Sequence, residues 1–106
     1  MKKQSEWKQV GEISVDAGIC WLGDPCYILH RTKADQKALE KSIGNDWSGF
    51  CDRLAPDVTQ FNHALGYSGL GVVVSTGYGD GVYPVLVRHN ADGRIAEVKV
   101  IFAEGE

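Results

Sequence analysis

A chain of 106 residues with 43% hydrophobic and 24% charged side chains has the length of one domain and ordinary globular usage, unlike disordered, collagen-like or membrane-spanning sequences. A formal charge of -3 with scattered Lys and Arg is the wrong sign for a nonspecific grip on a nucleic acid polymer. Lys2, Lys3 and Lys8 are interrupted by Glu6 and followed by no long apolar run. Neither a signal peptide nor a membrane helix is therefore read, and the cytoplasm is the expected compartment.

In chain order, residues 1–10 form a polar arm that Trp7 and Val10 could dock, and residues 11–106 form a single compact α+β domain. From Gly11 the sequence alternates, with Ile13 and Val15 on one face and Glu12, Ser14 and Asp16 on the other, the period of a half-buried strand. Asp16-Ala17-Gly18 reads as a tight turn. Ile19 to Asp24 resumes as a strand carrying Trp21 until Pro25 interrupts it, and Tyr27 to Leu29 could continue it.

Thr32 followed by Asp35 resembles a capping box ahead of Ala38, Leu39 and Ile43, which predicts a helix from about Lys33 to Ile43. Gly44 and Asn45 suit its end. Asp46 can cap a second helix whose Trp47, Phe50, Cys51 and Leu54 recur at helical spacing and face the sheet. Residues from Pro56 to Gly69 read as a loop-rich connection, long enough to be a candidate functional loop.

Leu70 to Thr76, Val82 to His89 and Arg94 to Ala103 are β-rich runs expected to form a meander. The second connection, Asn90-Ala91-Asp92-Gly93, carries the Asp-Gly signal of a hairpin. In the last run Ala96, Val98, Val100 and Phe102 share one face, and Glu97 and Lys99 the other. The expected fold is α+β: about five antiparallel strands, as a sandwich or partly open barrel, packed by two short helices.

Cys20, Cys26 and Cys51 are odd in number, which suits free thiols in a reducing compartment. A zinc site is disfavoured: Cys20 and Cys26 are spaced wider than a zinc knuckle, and His30, His63 and His89 stand singly. No metal or other cofactor is expected.

Two segments could carry chemistry. In Ser75-Thr76-Gly77-Tyr78-Gly79-Asp80-Gly81 the glycines would let backbone N–H groups converge on an anion while Ser75 and Thr76 add hydroxyls. The spacing is neither a P-loop nor a dinucleotide fingerprint, and a flexible hairpin connection is the plainer reading. Tyr78, between glycines, is the aromatic least suited to a core, so the loop suggests a planar group attached to an anion, as in a nucleotide. Asp24-Pro25-Cys26-Tyr27 is the second segment, a carboxylate at a rigid bend beside a thiol and a phenol. Its plainer reading is an Asp that accepts backbone N–H bonds within the turn.

The candidate ligand-binding residues are thus Asp24, Cys26, Tyr27, His63, Ser75, Thr76, Gly77, Tyr78, Gly79, Asp80 and Tyr83. No catalytic residue is assigned; Asp24, Asp80 or His63 could serve a small hydrolase or transferase, and Cys26 with His63 is the one thiol–imidazole pair worth considering.

Ser14-Val15-Asp16-Ala17-Gly18, Trp21-Leu22-Gly23-Asp24-Pro25-Cys26-Tyr27 and Ser75-Thr76-Gly77-Tyr78-Gly79-Asp80-Gly81 together resemble a group of small uncharacterised proteins encoded by bacteria and their phages. That resemblance spans most of the chain from Gly11 and implies a setting in which small acidic proteins act on host defences. The expected function is a non-catalytic module that binds or sequesters a nucleotide-like signal in the host cytoplasm, with a homo-oligomer's second subunit able to complete the site. The alternatives are a protein-binding inhibitor of a host factor and a small hydrolase or transferase.

Overall fold

The computed structural model describes residues 6–29 and 32–103. Part of the expected arm, residues 1–5 with Lys2 and Lys3, lies outside the described residues, as does His30. The described chain forms β1 (Lys8–Val15), β2 (Ile19–Leu22), a short 3-10 turn (Pro25–Tyr27), α1 (Lys33–Ile43), α2 (Trp47–Cys51), β3 (Val58–Phe61), β4 (Gly71–Ser75), β5 (Gly81–His89) and β6 (Ile95–Val100). The fold is α+β, with two antiparallel three-stranded sheets ordered β1-β5-β6 and β2-β4-β3. The sheets do not close into a barrel. Among the described residues no helix is long and apolar enough to cross a membrane.

Chain contacts divide the protein into two compact units, one of residues up to Gly18 together with those from Thr76 onward, the other Ile19–Ser75. In the second unit both helices begin where the sequence places their caps. The Thr32 hydroxyl accepts from Asp35 N at 3.1 Å, and the Asp46 carboxylate accepts from Gly49 N at 2.7 Å, each satisfying an N–H that the helix leaves unpaired. Gly44 ends α1 at a φ of 95°, a conformation that a side chain would resist. Phe50 of α2 stacks on Phe61 at 5.3 Å, and Trp21 meets Phe61 at 5.8 Å. With Leu70 and Val73 these rings make the core of the unit, and Ile19, Leu39, Ile43 and Leu54 pack against it. Among the described residues Trp21 Nε1 is buried with no hydrogen-bond partner, and Phe50 and Phe61 pack against the indole.

The sequence reading needs three corrections here. Val58-Thr59-Gln60-Phe61 is a strand and not part of a loop; its four residues pair with β4, and a segment so short has too few alternations to declare itself. Residues after Pro25 do not resume a strand but turn in a 3-10 helix, because the Asp24 carboxylate caps that turn. The last three β runs are no meander: β4 lies between β2 and β3, and only β5 and β6 form the hairpin.

In the first unit β5 is central. Its odd positions Tyr83, Val85 and Val87 share a face with Ile13, Val98 and Val100, while Leu86 and Arg88 share the other with Glu12, Glu97 and Lys99. Trp7 docks on that second face, its ring under Lys99 Nζ at 4.1 Å and Arg88 Cζ at 4.9 Å, and Arg88 is ion-paired with Glu97. Val10 lies in β1 and is exposed. Pro84 sits in the middle strand and has no N–H to offer; it accepts from Ile101 N through its carbonyl but returns no bond, and β6 ends at Val100.

Candidate functional site

Within the Ile19–Ser75 unit three segments border an open cleft of ≈ 450 Å³. The 3-10 turn supplies Cys26 and Tyr27 with the following Leu29. One face of α1 supplies Asp35, Ala38, Leu39 and Ser42, and the β3–β4 connection supplies His63, Ala64, Leu65, Tyr67 and Leu70. The α1 positions follow the i, i+3, i+4, i+7 spacing of a single helical stripe. Its size and mixed apolar and polar lining fall in the range of small-molecule sites.

Each wall has a local cause. The Asp24 carboxylate accepts from Cys26 N at 2.9 Å, and Tyr27 N donates to Asp24 O at 3.0 Å, so one carboxylate oxygen and the carbonyl of Asp24 hold the bend. Cys26 and Tyr27 are thereby aimed at the cleft, which Asp24 itself does not line. On the opposite wall His63 N donates to Tyr67 O at 2.7 Å and Gly66 N to His63 O at 2.8 Å, closing a compact turn between β3 and β4. Tyr27 meets the His63 ring edge-on at 4.8 Å, an arrangement that suits the charge distribution of aromatic faces and edges. Tyr27, Leu29, Leu65 and Tyr67 are all substantially exposed.

The structure therefore brings together Cys26, Tyr27 and His63 of the residues the sequence singles out. It adds Asp35, Ser42, Leu65 and Tyr67, none of them among the candidate ligand-binding residues. The α1 stripe was legible as a helix face, but its small and polar members, Asp35, Ala38 and Ser42, gave no sign that the face borders a cleft.

The glycine-rich segment is built differently. Ser75 closes β4 in the second unit, with its N–H donating to Asp57 O at 2.8 Å. From Thr76 onward the residues belong to the first unit. Thr76 N donates to Gly18 O at 3.0 Å, the Thr76 hydroxyl to Gly79 O at 2.8 Å, and the Tyr83 hydroxyl to the same Gly79 O at 2.7 Å. Thr76 and Tyr83 are buried, and their hydroxyls serve the loop's own carbonyl. Gly77 and Gly79 take φ values of 78° and 77°, and Tyr78 between them is 72% exposed. Asp80 is exposed, and Gly81 opens β5.

Replacing Tyr83 by Phe keeps the ring against Phe102, its edge-on neighbour at 5.2 Å, and removes one of the two donors to Gly79 O. A loss of about 1 kcal/mol is expected in chemical denaturation, with faster hydrogen exchange in residues 76–81. An unchanged exchange rate there would show that the hydroxyl does not hold the loop.

Cys20 is buried and Cys51 half-buried. Burial pushes the Cys20 thiol above its ordinary pKa, which lowers its thiolate fraction near neutral pH, while Cys26 is exposed at the cleft. Among the described residues no group of three His, Cys, Asp or Glu side chains is placed to hold a metal ion.

Fold and site together define an α+β protein with an aromatic-lined cleft on one unit and a pinned aromatic loop on the other. Residues 10–100 match the model of DUF4241, a family described as proteins of unknown function, and the chain belongs to that family. No curated protein and no solved structure matches it.

Proposed function

We propose that the cleft of the Ile19–Ser75 unit is a non-catalytic binding site for a small molecule carrying a flat ring. The observation that carries this reading is the convergence of Tyr27, His63 and Tyr67 on one open cleft, with the Asp24 cap and the His63–Tyr67 turn holding the rings in place. A nucleotide-like ligand fits it through its base, which any exposed aromatic face can stack. Asp35, Ser42 and Cys26 offer polar contacts at the same walls. In the phage-encoded setting that the sequence resemblance implies, holding such a molecule without turning it over would withdraw a signal from the host.

Calorimetric titration against nucleotides, cyclic nucleotides and nucleosides tests this reading. Binding is expected with at least one planar member, and Tyr27→Ala should weaken it roughly ten- to a hundredfold, the range for losing one stacking partner. The bound ligand should be released unchanged after long incubation; recovery of a product would favour the hydrolase or transferase reading instead. No heat with any planar compound would end the proposal.

A second reading has its own observation. Tyr78 projects from a loop whose backbone is tied down at Gly79, the disposition of an aromatic anchor in a protein interface. Capture of a stoichiometric host protein that is lost on Tyr78→Ala, and kept on Tyr27→Ala, would favour an inhibitor of a host factor.

A further inference from the structure

We infer that β6 is a self-recognition edge, pairing antiparallel with β6 of a second copy of this chain about a two-fold axis at Val98. β6 has one ladder partner, β5, among the described strands, and stands at the edge of the β1-β5-β6 sheet. It contains neither proline nor glycine, its register shifts only at Ala96, between Ile95 and Glu97, so Glu97–Val100 is its regular part, and Ile95 and Val98 are 62% and 57% exposed. Such an edge carries unpaired N–H and C=O groups and is a template for another strand unless something blunts it.

The pattern of side chains selects the partner. Ile101 N donates toward β5, at Pro84 O, so by the alternation of strand geometry Lys99 and Glu97 also direct their backbone groups inward, and Val98 and Val100 direct theirs outward. Antiparallel pairing of two copies about Val98 then lets Val98 exchange both backbone bonds with Val98 of the second copy. Glu97 falls opposite Lys99 of the second copy, and Lys99 opposite its Glu97. These are non-hydrogen-bonded positions, where facing side chains approach most closely. On the other face Val98 meets Val98, and Val100 falls opposite the register shift at Ala96. Glu97 already pairs with Arg88 of its own chain, so the contact would extend a row of alternating charge.

No neighbouring register does as well. Sliding the second copy by two residues one way opposes Glu97 to Glu97, and the other way Lys99 to Lys99. A slide of one residue sets charged positions against valines. Lys and Glu on an edge ordinarily discourage pairing with foreign strands; here their order is self-complementary and the same charges specify one partner.

A single strand edge buries less than the roughly 1,200 Å² of a stable complex, so the dimer should be weak and concentration-dependent. Sedimentation velocity should show the wild-type chain passing from monomer to dimer as its concentration rises to about 1 mM. Glu97→Lys opposes lysines at both charged positions, and Lys99→Glu opposes glutamates. Each variant alone should dimerise about tenfold or more weakly, and an equimolar mixture of the two should recover a dimer with both charge pairs restored.

Glu97 and Lys99 also touch Arg88 and Trp7 within one chain, so circular dichroism must confirm that each variant is folded. Should either fail to fold, hydrogen exchange of the wild-type chain decides: the Val98 and Val100 amides should become protected with rising concentration, while those of Glu97 and Lys99 stay unchanged. A chain monomeric at every concentration would overturn the inference. So would a dimer that both charge variants keep at full strength, or one that leaves the Val98 amide unprotected.

Discussion

Phe61→Ala is expected to remove about 3–5 kcal/mol from the stability of the Ile19–Ser75 unit, the usual consequence of emptying a buried phenyl site. Phe61 is 5% exposed, lies nearly parallel to Phe50, and faces Trp21. Its loss would leave both neighbouring rings facing a void that the short β3 cannot close, because Phe61 is the strand's last residue. Small domains have only about 5–15 kcal/mol in total, so a large part of the unit's margin would disappear. Urea denaturation gives the number, and hydrogen exchange of β3 and β4 shows whether the damage is local. A loss below about 1 kcal/mol would mean that the aromatic cluster is not the unit's core.

Gly71→Ala should also destabilise the unit, for the opposite reason. A Cβ at Gly71 would lie 2.2 Å from Trp21 Cζ2 and 2.4 Å from Cη2, inside the indole itself. Trp21 cannot simply swing aside, since Phe50 and Phe61 flank it. Overpacking of this kind costs about 1–3 kcal/mol. Gly11→Ala is the matched control: nothing lies within 4 Å of its Cβ position and its φ is not positive, so a change within about 0.5 kcal/mol is expected. Trp21→Phe added to Gly71→Ala should relieve part of the strain, giving a clearly non-additive pair. Equal effects of the two glycine substitutions, or simple additivity with Trp21→Phe, would contradict the packing described.

The parts of the fold that sequence reading recovers are those whose causes are local. Thr32 and Asp46 announce α1 and α2 because a cap acts on N–H groups two or three residues away. The β5–β6 hairpin follows from the Asp92-Gly93 turn, where Gly93 takes a φ of 81°. Strand β3 escaped because Val58–Phe61 becomes a strand by pairing with β4, and the false meander arose because three β-rich runs do not say which of them pair. The candidate site divides in the same way. Asp24's role at its bend lies within three residues and was readable; the meeting of Tyr27 with His63 depends on how β3 and β4 turn back, and was not. Thr76 enters the sequence reading as a hydroxyl available to an anion and Tyr83 as a ligand-binding candidate, because nothing local shows that both hydroxyls end on Gly79 O.

Pro84 gives the first sheet a means of counting. A strand sliding along β5 during assembly meets, at that one position, a residue able to receive a hydrogen bond but unable to give one. An arrangement that carried β6 across it would forgo the one bond that the imino ring cannot give. The imino ring thus sits where the ladder runs out, next to the alignment of Val85 with Val100 that closes the β5–β6 pairing.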